Sequence, residues 1–251
     1  MKYAVLLSAV LFGGLAAGCT DDTLSLTVSR FVPFTQPTMA GGGCTADPSN
    51  TAGQSSGLLD VAVAAQNGTG YLAAPVVTNN LGMITAGSVT PGQPSDVQRN
   101  QIIVEGFVVQ LIPDSSDNTV ASALSIRQYE VPTAAALTNP GDKVAVPVTL
   151  LRPDIAQALN AALPDGPHSQ VLTLNVSAFG DHAGLRIVGG ASTFPLNLCK
   201  NCLIANFGAC PLPAGTPQVS NACNLAQDIP ANCCTQGGTL LCGLDAPVKT
   251  M

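Results

Sequence analysis

The chain has 251 residues, with 9 Lys and Arg against 15 Asp and Glu, and only 10% of its residues are charged. Globular proteins usually reach about 25%, so neutral polar groups must cover most of this surface. A hydrophobic content of 46% separates the chain from charge-expanded disordered sequences, and its net charge of −6 repels phosphate and excludes a nucleic-acid partner.

Met1 and Lys2 open the chain, and Ala4 to Gly18 is an apolar run of 15 residues interrupted by Ser8. A membrane-spanning helix needs about 20, so this run fits the apolar region of a secretory signal. It ends Leu15-Ala16-Ala17-Gly18-Cys19, a string that resembles the lipobox of bacterial lipoproteins. The resemblance implies that residues 1–18 are a lipoprotein signal peptide. Cys19 then becomes the new terminus and carries a diacylglycerol thioether and an N-acyl chain such as palmitate. Two or more acyl chains, at about 0.8 kcal/mol per buried methylene, anchor a protein stably. Thr20 rather than aspartate follows the cysteine, which by enterobacterial sorting rules favours the outer membrane. The alternative is an ordinary signal cleaved after Ala17 or Gly18, leaving a soluble secreted protein.

Residues 19–56 read as an N-terminal tether and first strand: Leu24 to Val28 alternates, then turn formers dominate through Gly41-Gly42-Gly43-Cys44 and Asp47-Pro48-Ser49-Asn50. Residues 57–198 carry strand patterns. Val144, Val146, Val148 and Leu150 fall on one face, as do Leu172, Leu174 and Val176 opposite Thr173, Asn175 and Ser177, and a period of two marks strands with one wet face. Further strands are expected at 58–64, 71–78, 102–112, 119–130, 184–188 and 192–198. Pro75 and Pro147 remove ladder donors, which predicts edge or bulged strands there. Pro153, Asp154 and the apolar series Ile155, Ala158, Leu159, Ala162, Leu163 predict one short helix, ended by Pro164-Asp165-Gly166-Pro167 and covering a sandwich edge or open end. Many strands joined by such turns predict a mainly β fold, an antiparallel sandwich that is immunoglobulin-like or similar.

Residues 199–251 have no sustained periodicity and read as a cysteine-rich C-terminal module packed on or around the sandwich. Setting Cys19 aside leaves Cys44, Cys199, Cys202, Cys210, Cys223, Cys233, Cys234 and Cys242. An even number in an exported chain predicts disulfides. Cys44 stands alone upstream, so full pairing must tie it to the tail, and the adjacent Cys233 and Cys234 are expected to take different partners. The rival readings are a zinc knuckle or a redox pair at Cys199-Lys200-Asn201-Cys202. No second such pair follows and neither histidine lies in the tail, so no metal site is assigned.

Taken with the Cys19 start, the stretch Gly57-Leu58-Leu59-Asp60-Val61, Tyr71 leading to Asn79-Asn80-Leu81, and Phe194-Pro195-Leu196-Asn197-Leu198-Cys199-Lys200-Asn201-Cys202-Leu203 resemble uncharacterised cysteine-tailed outer-membrane lipoproteins of myxobacteria. That resemblance implies a surface lipoprotein and brings no activity or catalytic residues with it.

Among motifs for catalysis, there is no phosphate loop and no His-Glu-x-x-His helix. His168 and His182 are expected in a loop and a hairpin turn, where Asp181-His182 makes a poor triad half because neighbours on a turn point apart. A glycan hydrolase would need two facing carboxylates. Asp60, Glu105 and Glu130 lie in or beside strands, with Glu105 in the most apolar setting, and Asp114 to Asn118 offers oxygens that could suit calcium but reads better as a polar loop. Tyr71, Tyr129 and the phenylalanines are too sparse for a stacking platform and are expected in the core. No catalytic residue and no cofactor beyond the lipid is assigned. The expectation is a lipid-anchored envelope protein with a structural or binding role, partnered by the membrane and by an envelope protein or glycan. A carboxylate-based hydrolase is the competing class.

Overall fold

A computed structural model describes residues 22–35, 44–82, 100–114, 118–214, 216, 223–224, 227–242 and 247. The chain begins with α1 (Asp22–Ser25), β1 (Leu26–Val32), β2 (Gly57–Asp60), α2 (Val61–Gln66), β3 (Tyr71–Asn79) and β4 (Ile102–Pro113). Next come α3 (Asn118–Ala123), β5 (Gln128–Thr138), β6 (Lys143–Ala145), β7 (Val148–Leu151) and α4 (Pro153–Ala162). It continues through β8 (Gly166–His182), β9 (Leu185–Val188), β10 (Ser192–Lys200), β11 (Ile204–Ala209), β12 (Ala231–Gln236) and β13 (Thr239–Cys242).

Two sheets face each other. One has β3 at its centre, paired with β1 on one side and with β6 and β7 on the other. The second runs β2-β10-β8-β4-β5, with β9 paired to β8. Most neighbours are antiparallel, while β2 runs parallel to β10. The inner faces meet through side chains that alternate as a half-buried strand requires: Leu26 and Val28 from β1, Phe107 and Val109 from β4, Leu172, Leu174 and Val176 from β8, and Phe194, Leu196 and Leu198 from β10 are all buried. Phe194 joins the layers, its ring centroid 4.6 Å from Phe31 and 5.7 Å from Tyr71. The fold is a mainly β, antiparallel sandwich with a cystine-rich C-terminal region, as the alternation predicts.

Several local expectations are corrected. Segment 58–64 is a four-residue strand followed directly by α2, because the Asp60 carboxylate accepts from Ala62 N (3.1 Å) and Val63 N (3.3 Å) and starts a helix. Segment 119–130 divides into α3 and the start of β5, so the helix at 153–162 is not the only one. Helix α4 lies against α2 and α3, and its Ile155, Ala156 and Leu159 are buried in the main core.

Pro75 does not mark an edge. It lies in β3, opposite Phe31 of β1, and on its other side the partner strand is interrupted between β6 and β7 at Val146-Pro147. Val146 N donates to Pro75 O at 3.1 Å. The two prolines therefore share one gap in the ladder. The tail, whose sequence has no sustained periodicity, contains a three-stranded sheet, β11-β12-β13.

The strand registers define two poles. At the near pole Leu26 opens β1 opposite the end of β3 at Asn79, Ile103 lies opposite both Leu137 and Asp181, and Ala183-Gly184 turns β8 into β9 with φ of 54° and 82°. Buried Asn79 ties these ends together, its Nδ2 donating to Asn100 O (2.8 Å) and Thr138 O (3.1 Å). The far pole receives the start of β3, the ends of β2, β7 and β10, and the helices α2, α3 and α4.

Candidate functional site

The far pole gathers nearly everything with chemical potential. The segment after β1 pairs with itself at Thr35 and Thr45, and Cys44 is then bridged to Cys223, 179 residues on, with a Cα separation of 5.6 Å. Cys210 joins Cys234, Cys233 joins Cys242, and Cys199 joins Cys202. The tether from Cys44 to the tail and the different partners of Cys233 and Cys234 follow the expected pattern. The tail also shares the main core, through buried Ala231, Cys233 and Cys242.

Between the sandwich and the tail lies a polar centre. Tyr71, fully buried on β3, donates its hydroxyl to Asp228 Oδ2 at 3.1 Å. Gln54 Nε2 reaches both Tyr71 Oη (2.8 Å) and Asp228 Oδ2 (3.1 Å), and Leu58 N donates to Asp228 Oδ1 at 2.8 Å. Buried Gln227 imitates a strand neighbour: Leu72 N donates to its Oε1 at 2.9 Å and its Nε2 donates to Leu72 O at 3.0 Å. Burial in the first place, and then the Asp228 charge, push the Tyr71 phenol well above its usual range. The ring also explains Gly57, because a Cβ there would stand 2.2 Å from Tyr71 Oη.

This centre forms the floor of a cavity of about 300 Å³ walled by Pro33, Phe34, Ala52, Gly53 and Ile229. It offers the Asp228 carboxylate and the amides of Gln54 and Gln227 beside an aromatic and an aliphatic wall. Such a site suits a neutral ligand with hydroxyl or amide groups. Asp228 holds a φ of +61°, a backbone conformation that Asp tolerates better than most residues. A second cavity of about 370 Å³ opens between Gly68, Leu72, Val131, Thr149, Arg152 and Asn224. Arg152 is held there by Asp154, through Nε to Oδ1 (2.9 Å) and Nη2 to Oδ2 (2.7 Å).

The acids named from sequence do not come together. Asp60 is fully buried and saturated by backbone donors: besides Ala62 and Val63, Asn201 N reaches its Oδ1 at 3.0 Å and Leu203 N its Oδ2 at 2.9 Å. Its oxygens lie within 4.8 Å of the sulfurs of Cys199 and Cys202. Those sulfurs are bonded to each other, and the carboxylate already accepts four hydrogen bonds, so the group is built as a clasp and the zinc-knuckle reading of Cys199 and Cys202 does not fit. Glu105 is exposed at the bulge in β4 between Val104 and Gly106. Glu130 is exposed and paired with Arg186 at 2.6 Å.

His182 ends β8 opposite Leu185 rather than sitting in the turn, and His168 falls within β8 rather than in a loop. Of the polar run at 114–118, Ser115 to Asp117 lie outside the described residues, as does Cys19. Tyr129 is buried as expected and its hydroxyl donates to Leu150 O. Sequence reading misses Gln54, Gln227 and Asp228 altogether. They lie in aperiodic segments, and only the tolerance of Asp for positive φ hints at a special position. No protein family, curated protein or solved structure matches this chain.

Proposed function

We propose that the chain is an envelope protein held in the outer membrane by a lipid on Cys19, with a binding role exercised at the far pole. One observation carries the anchor. Nine cysteines occur in the sequence, and all eight described ones are consumed in four bridges. Cys19 is the remaining one, at the end of a lipobox-like string. Such pairing belongs to an oxidising compartment. The binding role is supported by the cavity beside Asp228 and Gln54, whose polar floor and apolar walls suit a glycan or a peptide amide.

The test has two arms. Mass spectrometry of the mature N-terminal peptide should show Cys19 carrying acyl chains, and Cys19→Ala should move the protein from the membrane fraction to the soluble one. Binding of envelope oligosaccharides to the purified protein should be lost on Gln54→Ala without loss of folding. An unmodified Cys19 defeats the anchor, and binding indifferent to Gln54→Ala defeats the site.

A further inference from the structure

We propose that the near pole docks onto the lipid bilayer itself, its exposed leucines resting at the boundary between headgroups and acyl chains. This rests on the Cys19 anchor proposed above and adds which face meets the membrane, and how closely.

The chain length is the first reason. Helix α1 begins at Asp22, so Cys19, Thr20 and Asp21 alone separate the anchored sulfur from the folded body. Three residues reach about 10 Å at full extension, whatever their conformation. A body tied so briefly cannot stand away from the surface, and the residues around its exit point must face it.

The identity of those residues is the second reason. Leu24, Leu185 and Leu137 are 66%, 70% and 59% exposed, and no other large apolar side chain among the described residues is as exposed. All three belong to the near pole. A parallel bridge between Thr27 and Gly190 runs the entry segment alongside β9, and Gly190 N donates to Leu26 O at 3.1 Å. Leu24 on α1 therefore lies beside the strand that begins with Leu185. Leu137 is the cross-strand partner of Ile103, itself 40% exposed. Exposed apolar residues scattered singly need no explanation; these are gathered at the one end that the anchor holds down.

Charge is the third. Arg186 is paired with Glu130 and lies 4.4 Å over the Phe179 ring, Asp181 accepts from Gly184 N at 3.0 Å, and Asp142 accepts from Asn139 Nδ2 at 2.8 Å. With Lys143, exposed at the start of β6 opposite Thr78, the two described cations of this pole do not outnumber the carboxylates of Glu130, Asp142 and Asp181, so the attraction is apolar burial rather than attraction to anionic lipid. Each leucine contributes modestly, but the tether makes docking intramolecular, and weak contacts then suffice.

The chain has no tryptophan, so Leu185→Trp in the mature lipoprotein supplies a single fluorophore. Ile112→Trp serves as the control. Ile112 is 39% exposed on the same strand and wet face as Ile103, toward the far pole, about 30 Å away at strand spacing. Both variants are reconstituted into phosphatidylethanolamine–phosphatidylglycerol vesicles with brominated acyl chains, after the acyl mass on Cys19 has been confirmed. The expected result is roughly threefold quenching at Leu185→Trp and little at Ile112→Trp. Equal quenching of the two, or none at either, overturns the docking while leaving the anchor intact. A dependence on protein density rather than on brominated lipid assigns the leucines to a second copy and overturns it too. An unmodified Cys19 defeats anchor and docking together.

Discussion

At the far pole, helices and a cross-linked tail cover the ends of the strands, whereas the near pole ends in short turns and exposed leucines. Both poles bury polar side chains, but they spend them differently. Asn79 and Thr138 close the near pole with hydrogen bonds to the backbone of Asn100, Thr138 and Ile102. Asp60 and Gln227 fasten segments that are distant in sequence, Asp60 to Asn201 and Leu203, and Gln227 to Leu72. The near-pole ties thus span 21 to 59 residues, against 141 to 155 at the far pole. The far pole depends on long-range ties and should be the first to fail when one is cut.

The largest test of that difference is removal of the Cys44–Cys223 bridge. Replacing both residues by serine frees a span of 179 residues and should cost about 4–5 kcal/mol on the chain-entropy estimate. It is read from urea unfolding, with hydrogen-exchange protection lost mainly over 44–60 and 223–242. Protection lost equally at both poles would erase the contrast. Asp60→Ala should follow at about 3 kcal/mol, because four backbone donors lose a buried acceptor together. Gly57→Ala, which presses on the buried Tyr71 ring, should cost about 2 kcal/mol and loosen Asp228, visible as altered binding at the cavity.

A pH test sharpens the picture further. Of three tyrosines, a chain processed at Cys19 keeps Tyr71 and Tyr129, and burial raises both phenols above their ordinary value. The folded protein should therefore show no tyrosinate absorbance as the pH passes about 10. Stability is whole below that pH and declines above it, because the unfolded chain releases phenol protons that the native state retains. Early tyrosinate absorbance without unfolding would mean that the Tyr71 centre is open. The smallest effect belongs to the near pole, where Leu137→Ser, on an exposed position, should change stability by less than about 0.5 kcal/mol.

The two poles also differed in how far they could be read from sequence. Strands with one wet face were legible because burial repeats every second residue: 102–112 and 192–198 lie almost wholly within β4 and β10, while 71–78 lies within β3, which is buried at nearly every position. The cysteine count anticipated the tie from Cys44 to the tail. What failed depended on tertiary partners. The strand read at 58–64 becomes α2 after Asp60, because Asp60, whose other hydrogen bonds come from residues 141 and 143 positions away, is an N-cap. The tail sheet was invisible because β12 pairs with β11 across an intervening stretch with no periodicity. The Asp228 centre left no local trace, since its partners come from residues 54, 58 and 71.

The gap shared by Pro75 and Pro147 has a consequence for life on a crowded surface. On the lipid anchor proposed above, many copies would share two dimensions, where sheet borders meet far more often than in solution. The β6–β7 border is broken at Pro147, and β5, the border of the other sheet, carries Pro132 within its run. Neither presents the unbroken row of donors that a neighbouring strand would need to zip onto it. The same imino acids that complicate the fold of one molecule blunt these two borders against pairing with an adjacent copy.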